Sequence, residues 1–212
     1  MKSHLRICSS ICALLLAATL LCFAKDTNKV AATIGKSAAP VRATNWARLF
    51  AVSGVKNCYQ VTTNLFRGAQ PTAKGMANLK AMGIKTVINL RAFHSDKDEV
   101  AGTGLKSVRF ETQPWRSKEE DVIRFLKAVA DTNNQPAFVH CKRGADRTGM
   151  MCAMYRIAVC GWTKKEAIAE MKAGGFGFNP LWNNLVTFVE KTDVDKLKRQ
   201  AGLSEQQKGA VK

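Results

Sequence analysis

The sequence predicts an α/β fold, a central sheet flanked by helices on both sides. Two observations predict it. Apolar, strand-like runs at 85–90, 105–112 and 137–140 alternate with helical segments at 71–82, 117–129, 149–160, 163–173 and 181–190. The chain has 212 residues, and the 188 that follow a removable start suffice for one domain with a full core. No internal repeat is visible.

The first 24 residues read as a secretory signal peptide. Lys2 and Arg6 charge its start, an apolar run follows at 11–24, and Lys25 and Asp26 end it. The run is shorter than the about twenty residues of a membrane span. Cleavage after Ala24 is expected, leaving no stable membrane span; an uncleaved anchor is the alternative. Residues 25–54 read as a flexible basic leader, of which 46–50 could dock on the domain. Residues 55–200 form the expected main domain and 201–212 its tail.

Within that domain, 55–65 should form an initial strand or hairpin. The helix at 71–82 stops at Gly83. The run 85–90 is nearly all apolar, as in a strand buried on both faces. A polar loop at 91–104 precedes the strand at 105–112. Ser117-Lys118-Glu119-Glu120 fits a capping box, and Val122, Ile123, Leu126 and Val129 give the next helix one apolar stripe. The strand at 137–140 is the expected centre of the sheet. The helix after it is apolar nearly all round (Met150, Met151, Met154, Tyr155, Ile157, Val159), so it should be a buried spine. Thr163 and Glu166 form a second capping box, and a glycine-rich loop at 174–180 leads to the helix at 181–190.

The most informative stretch is His140-Cys141-Lys142-Arg143-Gly144-Ala145-Asp146-Arg147-Thr148-Gly149, between the central strand and the spine helix. Five residues separate Cys141 from Arg147. A loop of that length can curl with its N–H groups inward, and the following helix adds unpaired N–H groups and the positive end of its dipole. Such a cradle suits a phosphate dianion without a metal. The same field stabilises a thiolate at the loop's start. Arg147 would close the ring with a planar fork of donors. Gly144 can take the positive φ that the curl needs. Lys142, Arg143, Gly144, Ala145, Asp146 and Arg147 thus form the candidate phosphate-binding set, and Thr148 is placed to hydrogen-bond the sulfur.

Other readings of these residues are weaker. A His-Cys pair can be half of a zinc site, but no second Cys/His cluster lies at ligand spacing, so no metal and no cofactor are expected. Cys58, Cys141, Cys152 and Cys160 follow the apolar start, and a structural disulfide is a further alternative for Cys141. Cys152 and Cys160 lie about 12 Å apart along one helix, so they should not pair with each other; they read as small buried residues. The formal net charge of +17 falls to +15 without the first 24 residues. Basic charge suits anionic substrates. Nucleic-acid binding is not expected, because no aromatic residues interleave with a basic cluster.

The segment at 140–149 resembles the His-Cys-x5-Arg-Ser/Thr signature of cysteine-dependent protein tyrosine and dual-specificity phosphatases. The resemblance extends over 57–188. Leu65-Phe66-Arg67-Gly68-Ala69-Gln70-Pro71 looks like the opening motif of compact bacterial and atypical dual-specificity members. Val87-Ile88-Asn89-Leu90-Arg91 looks like their second strand. Rhodanese-like sulfur-transfer domains share such loops, but the Arg-Thr-Gly ending argues against them.

The resemblance implies a dual-specificity-phosphatase-like fold and a metal-independent hydrolysis. Cys141 would attack phosphorus, Arg147 and the loop amides would stabilise the transition state, and water would hydrolyse the phosphocysteine. His140 would sit behind the loop, orienting it and supporting the thiolate. Family members supply a general acid from a loop about thirty residues before the cysteine. Here that loop, 113–117, holds no carboxylate. Asp146 and Glu119 are the candidate replacements, with Glu120 and Asp121 beside the latter. Glu119 has helix capping as its alternative role, and Asp146 has packing beneath the loop. Lys142 and Arg143 resemble atypical members acting on inositol pyrophosphates. The expected partner is therefore a phosphorylated protein or an inositol phosphate, outside the cytoplasm. A non-catalytic phosphate-binding module is the remaining alternative; oligomeric state is not readable.

Overall fold

The computed structural model describes residues 43–203. The expected signal peptide and most of the leader lie outside them. Six strands form one mixed sheet: β1 (Arg48–Leu49), β2 (Tyr59–Gln60), β3 (Leu65–Ala69), β4 (Thr86–Asn89), β5 (Lys106–Arg109) and β6 (Ala137–Cys141). Their order is β1-β2-β3-β6-β4-β5, antiparallel for β1-β2-β3 and parallel thereafter. β6 therefore lies in the interior of the sheet, as its apolar sequence predicts. β5 is one edge and β1 the other, and the side chains of both are largely exposed.

Helices cover both faces. α1 (Ala73–Ala81) and the short α2 (Lys97–Val100) pack on one side, where Met76, Leu79, Val87 and Phe138 share a core. α3 (Glu119–Ala130), α4 (Asp146–Ala158), α5 (Lys164–Ala173), α6 (Asn183–Lys191) and α7 (Val194–Ala201) pack on the other. α4 is the spine: all its residues except Arg147 are buried. Among the described residues no helix is long and apolar enough to cross a membrane.

Several boundaries differ from the expectation. The domain begins before residue 55. β1 pairs with β2, Ala47 is buried and its N–H donates to Glu170 Oε1, and Arg156 Nη2 donates to the Asn45 carbonyl. The buried Arg156–Glu170 pair, with Nη2–Oε1 at 2.8 Å, thus fastens a stretch that carries no periodic signal. At the other end, Ala201 and Leu203 are buried, so the tail does not start at 201. α2 lies within the expected polar loop at 91–104, and α7 lies beyond the last expected helix. The capping box at Ser117 does not form: α3 starts at Glu119, its N-cap Lys118 makes no side-chain cap, and Ser117 Oγ is buried without a partner. Three acids in the first turn favour that helix end instead. The capping box of Thr163 and Glu166 is present.

Candidate active site

Cys141 ends β6, and α4 begins at Asp146, three residues earlier than expected. The intervening turn, 142–145, runs over the C-terminal edge of the parallel strands. Gly144 lies at φ +69°, the left-handed region, as its place in the curl requires. A Cβ there would sit 2.3 Å from the Gly68 carbonyl carbon, so close approach demands glycine as well. Arg67, on β3, passes beneath the turn. Its Nη2 donates to the carbonyls of Gly144 (2.8 Å) and Ala145 (3.3 Å), and its guanidinium lies 3.7 Å from the centre of the Phe176 ring. Carbonyls pinned from below leave the turn's N–H groups to face the other way, which is the polarity an anion cradle needs.

Arg147 stands in the first turn of α4. Its Nη1 donates to the carbonyls of Leu90 and Thr112, both at 3.1 Å. The ends of β4 and of the strand-like segment after β5 thus hold one edge of the guanidinium, leaving Nε and Nη2 without a partner among the described residues. Asp146 is nearly buried, and its Oδ1 accepts from the Asn179 N–H at 2.8 Å. That bond ties the 174–180 loop to the signature segment. Asn57 Nδ2 adds a second tie, donating to the Arg143 and Phe176 carbonyls. Lys142 and Arg143 are exposed, and Ala145 is buried. Cys141 is 2% exposed at the floor. Burial pushes the Cys58 and Cys152 thiols up to about 11, which suits inert packing groups.

Two expected roles change, those of Thr148 and Glu119. Thr148 Oγ1 is buried and makes no hydrogen bond, so the bond to sulfur is not formed. Thr148 belongs to the first turn of α4, not to the loop. His140 is fully buried, on the face of β6 opposite the Cys141 side chain. Ala137, Val139 and Cys141 belong to the core on one face of β6, whereas His140 stacks on Phe138 on the other face. There its Nε2 lies 2.8 Å from Asp96 Oδ2. Glu119 is not drawn to the loop: its Oε2 meets Lys196 Nζ of α7 at 2.9 Å. The 113–117 segment, as expected, brings no carboxylate; Trp115 stands exposed there.

Two site residues escaped the sequence reading. Arg67 had a signal, a cation inside an apolar strand. Asp96 had none, being one polar residue in a polar loop. His94, Asp96 and Glu99 cluster closely enough to suggest a cation site. Asp96 is already occupied, however: Oδ1 accepts from Gln70 Nε2 and Asn89 Nδ2, and Oδ2 from His140.

Residues 39–185 match the family model described as "DSP-PTPase phosphatase fused to NAD+ Kinase". The chain belongs to the dual-specificity protein tyrosine phosphatase family. It is a protein-tyrosine/dual-specificity phosphatase, with the fold that the family resemblance implied. The dual specificity protein phosphatase TpbA of Pseudomonas aeruginosa (strain UCBPP-PA14) is 36% identical over 167 residues, covering 77% of this chain and 73% of TpbA. A crystal structure of P. aeruginosa TpbA in complex with pTyr superposes with a TM-score of 0.69 at 30% identity, covering 77% of this chain and 99% of that one. The inositol diphosphatase DSP5 of Arabidopsis thaliana is 24% identical over 152 residues, covering 68% of this chain and 72% of DSP5.

Proposed function

We propose that this phosphatase works outside the cytoplasm on phosphotyrosine-containing proteins, through a phosphocysteine at Cys141. The observation that carries the chemistry is the floor-to-rim arrangement of Cys141, the Gly144 turn and Arg147. The sulfur attacks phosphorus in line, the P–O bond to the alcohol or phenol breaks, and Nε and Nη2 of Arg147 with the turn's N–H groups hold the equatorial oxygens. Water then attacks the phosphocysteine, releasing phosphate and restoring the thiolate. Asp146, the carboxylate within the signature segment, is the group assigned to protonate the leaving oxygen.

The rim supports a peptide substrate. Three segments bonded to the signature segment each expose one large apolar side chain: Phe93 three residues after Leu90, Trp115 three after Thr112, and Leu181 two after Asn179. Residues flanking a phosphotyrosine can cover such groups; an inositol ring has no use for them. Lys142 and Arg143 favour the second reading, a highly phosphorylated inositol. Relative kcat/KM on phosphotyrosine peptides and inositol polyphosphates decides between them. A Cys141→Ser variant tests the mechanism: it should lose more than 99% of turnover while still binding phosphate. Retention of a tenth of the rate, a barrier change of only about 1.4 kcal/mol, overturns the nucleophile assignment. The charged start and short apolar run support export; N-terminal sequencing should find Lys25 first, and an intact Met1 overturns it.

A further inference from the structure

Asp96 has no part in the chemistry just described, yet its surroundings are unusual. Its carboxylate is fully buried at the start of α2 and faces three side-chain donors. Gln70 Nε2 (2.8 Å) and Asn89 Nδ2 (3.0 Å) reach Oδ1, and His140 Nε2 (2.8 Å) reaches Oδ2. Burial pushes the Asp96 carboxyl up, but the hydrogen bonds from His140 and Gln70 prevail and hold it below the ordinary range. An ionised acceptor fixes the hydrogen of His140 on Nε2. Each donor comes from the C-terminal end of a different parallel strand: Gln70 after β3, Asn89 at the end of β4, and His140 immediately before Cys141 on β6. The Gln70 N–H also reaches the Lys142 carbonyl, 3.4 Å away, and Gln70 Oε1 accepts from Arg91 Nη1.

We infer that Asp96 is a positioning residue of the phosphatase: by accepting from His140 Nε2 and Gln70 Nε2 it fixes the strand end that presents Cys141. The inference rests on Cys141 being the nucleophile. It acts from the opposite face of the sheet, through the backbone of β6, and touches neither sulfur nor substrate. A carboxylate is required because all three neighbours donate. An amide at position 96 would turn its NH2 toward the Gln70–Asn89 pair, losing both bonds there, or toward His140, which could accept only by moving its hydrogen to the buried, unpartnered Nδ1.

The test separates positioning from stability. Two ligands read different parts of the site: orthovanadate bonds to the sulfur, whereas inorganic phosphate rests on the turn and Arg147. Asp96→Asn should lower kcat on 4-nitrophenyl phosphate at least tenfold and weaken vanadate at least tenfold. KM and phosphate affinity should stay within threefold. Adding Gln70→Glu to Asp96→Asn restores an acceptor for the new NH2 and keeps one for Arg91; kcat and vanadate affinity should return to within about fivefold of wild type. Unchanged kcat and vanadate affinity in Asp96→Asn overturns the inference. So does a double variant that regains melting temperature but not kcat. If Asp96→Asn does not fold, His140 decides. His140→Gln can still donate an amide N–H to Asp96 and should keep kcat within tenfold, whereas His140→Phe cannot donate and should not. Equal losses in those two overturn the inference. Vanadate and phosphate affinities measured calorimetrically need no turnover, so failure of the nucleophile reading, with vanadate binding unaltered by Cys141→Ser, is distinguishable from failure of Asp96.

Discussion

Arg67 Nη2 lies 2.8 Å from the Gly144 carbonyl, directly beneath the turn that carries the signature. The bond joins a buried cation on β3 to the tightest point of the loop. Arg67 lies 1% exposed, and Nε has no partner. Removing it leaves two carbonyls and the Phe176 ring without their cation, at about 1–3 kcal/mol for each buried group left unsatisfied. Arg67→Met should therefore lower the unfolding free energy by several kcal/mol and kcat/KM by more than tenfold. Urea unfolding and steady-state kinetics check this. An unchanged midpoint would mean that the turn holds its shape without support from β3.

Gly144 should tolerate nothing larger. Gly144→Ala adds a positive-φ penalty to an overlap with Gly68 at 2.3 Å, and backbone cannot yield as a flexible side chain does. Gly161 provides the comparison. It has φ +74° and nothing within 4 Å of an added Cβ, so Gly161→Ala should cost only about 1 kcal/mol. Activity should collapse in the first variant and persist in the second. Similar stability losses in both would show that the close approach to Gly68 is unimportant.

How far the sequence foretold this site depends on the range of each interaction. The spine helix, β6 and the Thr163–Glu166 cap follow local rules of period and spacing and are present, although the helix starts three residues before its expected bound. The His140–Asp96 bond joins positions 44 apart, and the Asp146–Asn179 bond positions 33 apart; neither pattern repeats locally. Ser117 had every local mark of a cap, yet its oxygen ended buried and the helix began two residues later. β1 has two residues, too few to show any alternation, and the stretch before it is held by long-range bonds from Ala47 to Glu170 and from Arg156 to Asn45.

Asp96 also sets a pH dependence. Its folded-state pKa lies below the ordinary 3.8, so folding favours the ionised form. The stabilisation is complete well above 3.8 and is lost as pH falls through that value toward the lower folded one. The stability gap between wild type and Asp96→Asn should be constant from about pH 5.5 to 8 and shrink below about pH 4. Urea unfolding across that range measures it. A gap that widens on acidification contradicts the assignment.

Arg147→Lys should be nearly as damaging as Arg147→Ala. Lysine keeps the charge but loses the fork that bonds the Leu90 and Thr112 carbonyls with one nitrogen while leaving the others for substrate. Losses in kcat/KM within about fivefold of each other are expected. Near-normal activity in the lysine variant would mean that charge alone suffices and that the two carbonyls orient nothing of consequence.

The general acid is the sharpest test of the assigned chemistry. Asp146 Oδ1 is committed to the Asn179 N–H, while Glu119 is committed to Lys196 of α7. If Asp146 donates the proton, Asp146→Asn should slow esters with poor, high-pKa leaving groups by roughly 10²–10⁴-fold and spare those with good ones, which need little help to depart. Glu119→Gln should lose only the exposed ion pair to Lys196, with little change in stability and no dependence on leaving group. Asp121→Asn is a second control at the same helix start. Rate plotted against leaving-group pKa for the three variants settles the matter. A steep slope confined to Glu119→Gln would require the start of α3 to move toward the loop and break from Lys196. A uniform loss in Asp146→Asn would leave its carboxylate as the tie to Asn179 alone, holding the 174–180 loop against the signature turn while water supplies the proton.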